Sequence, residues 1–188
     1  MSREDAMSSE VDRIPSAPGV RDLGVFNWVF CKLAARRQHV PQVHLFTTLG
    51  QHKKLMWSWL PWAGLLLGGG KLPKQETELV ILRVGHLRGC QYELTHHRRI
   101  ARASGVDEAT QDKIFQGPHA DGLTDRQRVL LTGVDELLQT RTLSDATWTE
   151  LSGHLNRQQL IEFVTLAGQY DALAATLSAL RVPLDYPE

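Results

Sequence analysis

The chain has 188 residues, 42% of them hydrophobic and 22% charged, enough for one core or for a core plus an oligomer interface. Its 21 basic and 21 acidic side chains cancel, so no overall field draws it to nucleic acid or to an anionic membrane. Only two cysteines occur, Cys31 and Cys90, far apart and without CxxC or Cys/His spacing, which argues against a disulfide scaffold or a bound metal.

The opening MSREDAMSSEVDR is polar and mixed in charge, with no apolar segment behind a basic start, so a cytoplasmic protein is expected. Residues 1–22 show no apolar period and read as a flexible arm able to pack on a neighbour; residues 23–188 read as a single helical domain. In VFNWVFCKLAARR, Phe26, Val29, Phe30 and Leu33 recur at helical spacing and predict one apolar stripe. Cys31 falls off the centre of that stripe, beside Trp28 and Ala35, where a cysteine acts as a small packing residue.

LMWSWLPWAGLLLGGG, residues 55–70, carries Trp57, Trp59 and Trp62 and is the most apolar stretch. Pro61 and the glycines interrupt it, and it falls short of the ~20 apolar residues that span a bilayer. It reads as a buried turn at an oligomer contact or as the wall of a substrate pocket. KQETELVILRVGHLRG follows Pro73, starts acidic and is apolar nearly all round, which predicts a buried helix ending at Gly89. CQYELTHHRRIARASGV is the next helix, ended by Gly105. Thr124 with Gln127 and Asn156 with Gln159 have capping-box spacing, and SDATWTELSGHL between them is a short helical segment. No stretch alternates like a strand, so the fold class is all-α.

ELVILRVGHLRGCQYELT and QLIEFVTLAGQYDALAAT share an opening Glu or Gln, an apolar run, a glycine and then Gln-Tyr-acid, as a duplicated two-helix unit would. Only the first copy holds the cysteine and the histidines. At about 100° per residue, Cys90, Glu93 and His97 share an arc of roughly 60° with Leu94 and Ala101 beside them, while Gln91, Thr95, Arg98, Arg99 and Arg102 lie opposite. A carboxylate facing the core needs a partner. His97, four residues on from Glu93, is the partner that spacing predicts. These residues alone fit two descriptions: a satisfied ion pair with an inert cysteine, or a reactive site.

Glu78, Cys90 twelve residues later, Tyr92 and His97 resemble the core pattern of the carboxymuconolactone decarboxylase family, which includes the alkyl hydroperoxidase D proteins. The similarity covers residues 75–106. It implies an all-α fold, symmetric homo-oligomers (a dimer, trimer or hexamer), a small-molecule substrate, no cofactor and proton-relay roles for Glu78 and His97. It also aligns Cys90 with the first cysteine of the family's redox pair, Cys-x-x-Cys-x-x-x-His. Glu93 occupies the second cysteine's place and cannot form a disulfide. Cys31 could substitute only within about 7 Å of Cys90, Cα to Cα.

A carboxylate ~5 Å from the thiol opposes its ionisation by roughly 3 kcal/mol, about two pK units, so Cys90 is expected to stay protonated. The first reading is therefore a lyase or isomerase in which His97 is general acid or base, Glu93 holds and polarises it, and Glu78 completes the relay. His96 and Tyr92 point off this face. The second reading is a peroxiredoxin-type thiol antioxidant using Cys90, and the third a non-catalytic, oligomeric ligand-binding protein.

Overall fold

Nine α-helices and one π-helical turn make up the regular structure of residues 12–186, which are the residues described by the computed structural model; none of them forms a strand. The helices are α1 (Val20–Gln38), α2 (His44–Leu49), α3 (Lys53–Gly64), α4 (Lys74–Leu87), α5 (Gln91–Ala103), α6 (Glu108–Gln116), α7 (Asp125–Thr140), α8 (Asp145–His154) and α9 (Arg157–Leu180), with the π turn at Leu65–Gly69. No described helix is long and apolar enough to cross a membrane. The described residues form two compact units, one reaching Trp59 and resuming at Thr176, the other spanning Leu60–Ala175.

In the first unit, the arm predicted for residues 1–22 lies outside the described residues up to position 11 and is already helical from Val20. Arg13 donates to the Ala179 carbonyl at 3.0 Å. Near the other terminus, buried Asp185 accepts from the His44 amide at 2.8 Å and lies 2.6 Å from His44 Nδ1. The orientation of α1 turns its apolar stripe outward. Leu23, Asn27, Cys31 and Ala35 face inward, while Phe26, Val29 and Leu33 are exposed and Phe30 is half-buried against Phe46. The rotation has two visible causes: Gly24 breaks the helix at a left-handed φ of 75°, and Asn27 donates to the Gly50 carbonyl at 3.0 Å, fixing its own side inward. Burial pushes the Cys31 thiol up to about 11, as a packing residue requires.

Residues 55–70 form no buried turn. They continue α3 through Pro61 into the π turn, and Trp57, Trp62 and Leu65 are exposed, with Met56 and Leu66 buried.

The second unit is built around α4, whose residues Thr77–Gly85 are all buried. Such a helix needs neighbours on every side, and α5, α6 and α7 supply them. At Gly85 α4 meets α5 in ordinary contact: a Cβ there would lie 3.4 Å from Leu94 and 3.6 Å from the Cβ of Glu93. On the opposite flank, a Cβ at Gly133 of α7 would come within 2.9 Å of Phe163 in α9. Both predicted capping motifs form: Thr124 and Gln127 make a reciprocal box, and Asn156 and Gln159 bond each other's amides at 3.0 and 3.1 Å. The two members of the sequence echo differ in structure, the first broken into α4 and α5, the second lying within unbroken α9.

Candidate functional site

The site starts at the break between α4 and α5. Gly89 takes φ 61°, which L side chains rarely adopt, and this lets the chain reverse so that the Cys90 amide donates back to the Gly85 carbonyl at 2.9 Å. Cys90 thereby becomes the N-cap of α5, and the following turn carries Glu93 and His97 inward. Glu78 projects from buried α4. All four side chains lie within the second unit and are 0% (Glu78), 4% (Cys90), 2% (Glu93) and 7% (His97) exposed.

The structure corrects the expected pairing. His97 Nδ1 lies 2.8 Å from Glu78 Oε2, whereas neither oxygen of Glu93 has a hydrogen-bond partner. A carboxylate only accepts, so Nδ1 carries the proton and Nε2 of a neutral ring is the basic nitrogen. Nε2 has no protein hydrogen-bond partner among the described residues. The reason for the exchange is geometric. Glu78 reaches His97 from the facing helix, while Glu93 sits where Gly85 brings α4 against its Cβ.

Burial pushes the Glu93 carboxyl up to about 8, with the Cys90 thiol pulling it back and the Asp171 charge adding to the rise. At neutral pH Glu93 is thus a buried, neutral acid, and it acts on Cys90 as a close neighbour rather than a bonded acceptor. Burial, then the Glu93 charge, push Cys90 up to about 12, outweighing the Tyr92 and Glu93 amides at the start of α5. The thiol remains protonated chiefly because it is buried; the Glu93 charge, which the sequence points to, is the smaller cause.

Two residues of α9 complete the surroundings. The Tyr170 ring meets the His97 imidazole edge to face, with centroids 5.1 Å apart at 87°. Its hydroxyl is held well above the usual phenol range by burial and then by the charges of Glu78 and Glu93, so it stays protonated. Asp171 accepts from Arg88 Nε at 2.5 Å and also bonds Arg141. Burial alone would raise Asp171, but these guanidinium contacts hold it below the usual carboxylate range. It is a fixed negative charge beside Glu93. The Gln-Tyr-acid echo was the only sequence signal for this pair, placing Gln169-Tyr170-Asp171 in register with Gln91-Tyr92-Glu93.

Tyr92 is buried and stacks on His96 at 4.7 Å, so neither joins the Glu78–His97 pair. Two cavities, of about 770 and 270 Å³, are lined by other residues: Thr48, His52, Lys53 and Leu55 among those of the first, Gln75, Glu76, Ile114 and Arg126 among those of the second. Trp57, Trp59 and Trp62 line neither of them. Among the described residues no group of three or more His, Cys, Asp or Glu side chains could hold a metal ion.

Residues 53–134, which include Glu78, Cys90, Glu93 and His97, match the carboxymuconolactone decarboxylase family. No curated protein matches the chain. Among solved structures, the chain is similar to an uncharacterized peroxidase-related protein from Ralstonia eutropha described as an alkylhydroperoxidase AhpD core, at 15% identity and a TM-score of 0.80 with 94% of each chain covered. An uncharacterized peroxidase-related protein from Silicibacter sp. gives 17% identity, also with a TM-score of 0.80 and 94% coverage of each chain. The apo debrominase Bmp8 gives 16% identity and a TM-score of 0.67, covering 98% of this chain and 89% of its own. At these identities the likeness speaks for the all-α fold, and the family match speaks for the α4–α5 segment that carries the candidate site. Over residues 53–134 the chain is carboxymuconolactone decarboxylase-like, and its fold is that of the alkylhydroperoxidase D-like structures.

Proposed function

We propose that the chain is an enzyme that moves a proton within a small organic substrate, using His97 as base and Glu93 as acid. One observation carries this reading: a histidine bonded through Nδ1 to a fully buried glutamate lies one turn along α5 from a carboxyl held near 8. A carboxyl kept protonated beside a histidine whose Nδ1 is tied to a second carboxylate supplies an acid and a base.

In the reaction, Nε2 of neutral His97 takes a proton from a carbon or oxygen of the substrate. Glu78 accepts from Nδ1–H throughout and stabilises the imidazolium that forms. Glu93 donates its proton where negative charge develops, and the imidazolium afterwards returns a proton to Glu93. The balance is an isomerisation, one proton leaving and one arriving at a different atom. In a lyase the Glu93 proton would cap the carbanion left by the departing group. Tyr170 packs on the imidazole and positions it. Cys90 stays a thiol and takes no part.

The test is deuterium incorporation from D2O into a panel of small lactones and 2-oxo acids, followed by proton NMR, with cumene hydroperoxide plus dithiothreitol as a parallel arm. Wild type and Cys90→Ser should exchange at similar rates, and His97→Ala should lose about 10²–10⁴-fold, the range for a positioned acid or base. Peroxide consumption by wild type that Cys90→Ser abolishes, with no exchange in the panel, would replace this reading by the thiol one.

A further inference from the structure

The larger of the two cavities, about 770 Å³, is lined by residues of the first unit alone and holds none of the Glu78–His97 group. Its volume falls in the roughly 300–1,000 Å³ range of small-molecule sites. The lining divides by chemistry. Ile14, Leu49, Leu55 and Leu180 form apolar walls, and Leu55 is 50% exposed. Lys53 and Lys54 stand against Asp22, two cations to one anion, and the charged residues adjoining the lining in sequence, Arg13, Arg21 and Arg181, are all basic. Among the described residues neither lysine is in an ion pair. A Cβ on Gly24 would lie 3.3 Å from Lys53 Cε, so the Lys53 chain rests against the break in α1.

Both lysines open α3, whose first turn holds no acidic side chain. The Leu55 amide goes to His52 Nδ1 at 3.3 Å and the Met56 amide to the His52 carbonyl at 3.1 Å. Those of Lys53 and Lys54 are left without a backbone partner at the positive end of the helix dipole. With Nδ1 accepting, neutral His52 carries its proton on Nε2, a further donor in the lining. A buried hydroxyl is the independent sign of a ligand. Thr48 lines the cavity and is 5% exposed, yet its Oγ1 has no hydrogen-bond partner. The neighbouring Thr47 hydroxyl, by contrast, lies 2.5 Å from Ser16 Oγ and donates to the His44 carbonyl at 3.2 Å. Buried hydroxyls are ordinarily satisfied, because giving up water without a new bond is costly.

We propose that this cavity is a binding site for a small amphipathic monocarboxylate. Its carboxylate sits at the start of α3, where the Lys53 and Lys54 amides and the Thr48 hydroxyl donate to it and the two ammonium groups balance its charge. Its hydrocarbon body covers the apolar walls and takes Leu55 out of water. One negative charge matches the lining's excess of one cation. A phosphate dianion would exceed that charge and leave oxygens unbonded against the leucines. The proposal stands apart from the chemistry assigned to Glu93 and His97, whose residues belong to the other unit.

Isothermal titration calorimetry of the full chain with octanoate tests the proposal, with 1-octanol as the uncharged probe, inorganic phosphate as the purely ionic one, and nitrogen-15 amide shifts to locate the site. Octanoate should bind at one site per chain, and octanol and phosphate each about ten-fold more weakly or worse. Lys53→Gln/Lys54→Gln should weaken octanoate about ten-fold and the near-isosteric Thr48→Val several-fold, with helicity by circular dichroism unchanged. The amide shifts should centre on Thr48, Lys53, Lys54 and Leu55. The double lysine variant alters only exposed side chains, so its result stands even if Thr48→Val fails to fold. Absence of saturable octanoate binding, octanol binding as tightly, or an unchanged affinity in the lysine variant would overturn the proposal. Shifts confined to α4 and α5 would place the carboxylate at the Glu78–His97 site instead. Phosphate that binds as tightly as octanoate and competes with it would replace the amphipathic ligand by an inorganic anion.

Discussion

His97 Nδ1 lies 2.8 Å from Oε2 of Glu78, joining the middle of α5 to a carboxyl on α4 that is wholly shielded from solvent. The bond connects residues 19 positions apart and crosses the break at Gly89 and Cys90. It fixes the tautomer and the plane of the imidazole, and it is the one hydrogen bond of the buried Glu78 carboxyl, since Oε1 has no partner.

Removing that bond should cost stability as well as activity. His97→Ala leaves Glu78 buried and unpaired, a change of about 3–5 kcal/mol for a broken buried pair, whereas Glu78→Gln keeps an acceptor for Nδ1–H and should cost less. The double variant Glu78→Gln/His97→Ala should be less destabilised than the sum of its parents. Urea unfolding of the four proteins checks the coupling, and strict additivity would show that the bond does not hold the two helices together.

Cys90 should behave as an inert thiol. With the group pushed up to about 12, alkylation by iodoacetamide should be very slow at pH 7 and rise about tenfold per pH unit through pH 10. Cys90→Ser should leave proton transfer nearly intact. Mass spectrometry of the labelled peptide distinguishes Cys90 from Cys31, and rapid labelling of Cys90 at pH 7 would revive the thiol antioxidant reading.

The sequence carried the helices, the caps and the inward face of α5 because each rests on local spacing: the 3.6-residue period, the Thr124 and Asn156 boxes, and glycines where the chain turns. It carried Glu78, Cys90, Glu93 and His97 because they sit in one motif. It misassigned the partner of His97, since spacing along α5 favours Glu93 and gives no sight of α4 lying alongside. It missed Tyr170 and Asp171, which lie more than 70 residues beyond His97 in sequence and reach the site only through packing of α9. The rotation of α1 was equally illegible: its most apolar stripe points to water, because burial there follows Asn27 and the small residues rather than hydrophobicity.

Glu93 should make stability fall as pH rises. Its carboxyl is raised in the folded protein from 4.5 to about 8, so between these values the folded state holds a proton that the unfolded chain has released. Stability from this group is full below about pH 4.5, declines through the window and levels off above about pH 8, a change on the order of a few kcal/mol. Asp171, lowered from 3.8, titrates beneath the window, and His86, lowered from 6.5, acts with the opposite sign inside it. The comparison with Glu93→Gln therefore isolates the effect. The variant should lose the downward slope and gain on wild type at pH 8.5, measured as the urea midpoint. Parallel pH profiles for the two proteins would place the Glu93 carboxyl back in the ordinary range.

Tyr170 should separate positioning from chemistry. Its ring packs edge-to-face on the His97 imidazole, and its hydroxyl, held above the usual phenol range by burial and the charges of Glu78 and Glu93, stays protonated near neutral pH. Tyr170→Phe keeps the ring and should retain activity within a few-fold. Tyr170→Leu removes the edge-to-face contact, worth about 0.5–1.5 kcal/mol, and frees the imidazole to turn about its bond to Glu78. The expected result is a fall in kcat of ten-fold or more with little change in KM, and a broadened His97 Nε2 resonance in nitrogen NMR as the ring samples several orientations. A merely structural role would lower the unfolding midpoint and leave both kcat and the resonance of the folded protein unchanged. Should Tyr170→Phe prove as damaging as Tyr170→Leu, the hydroxyl itself takes part in the reaction, and Tyr170 joins His97 and Glu93 among the groups that touch the substrate.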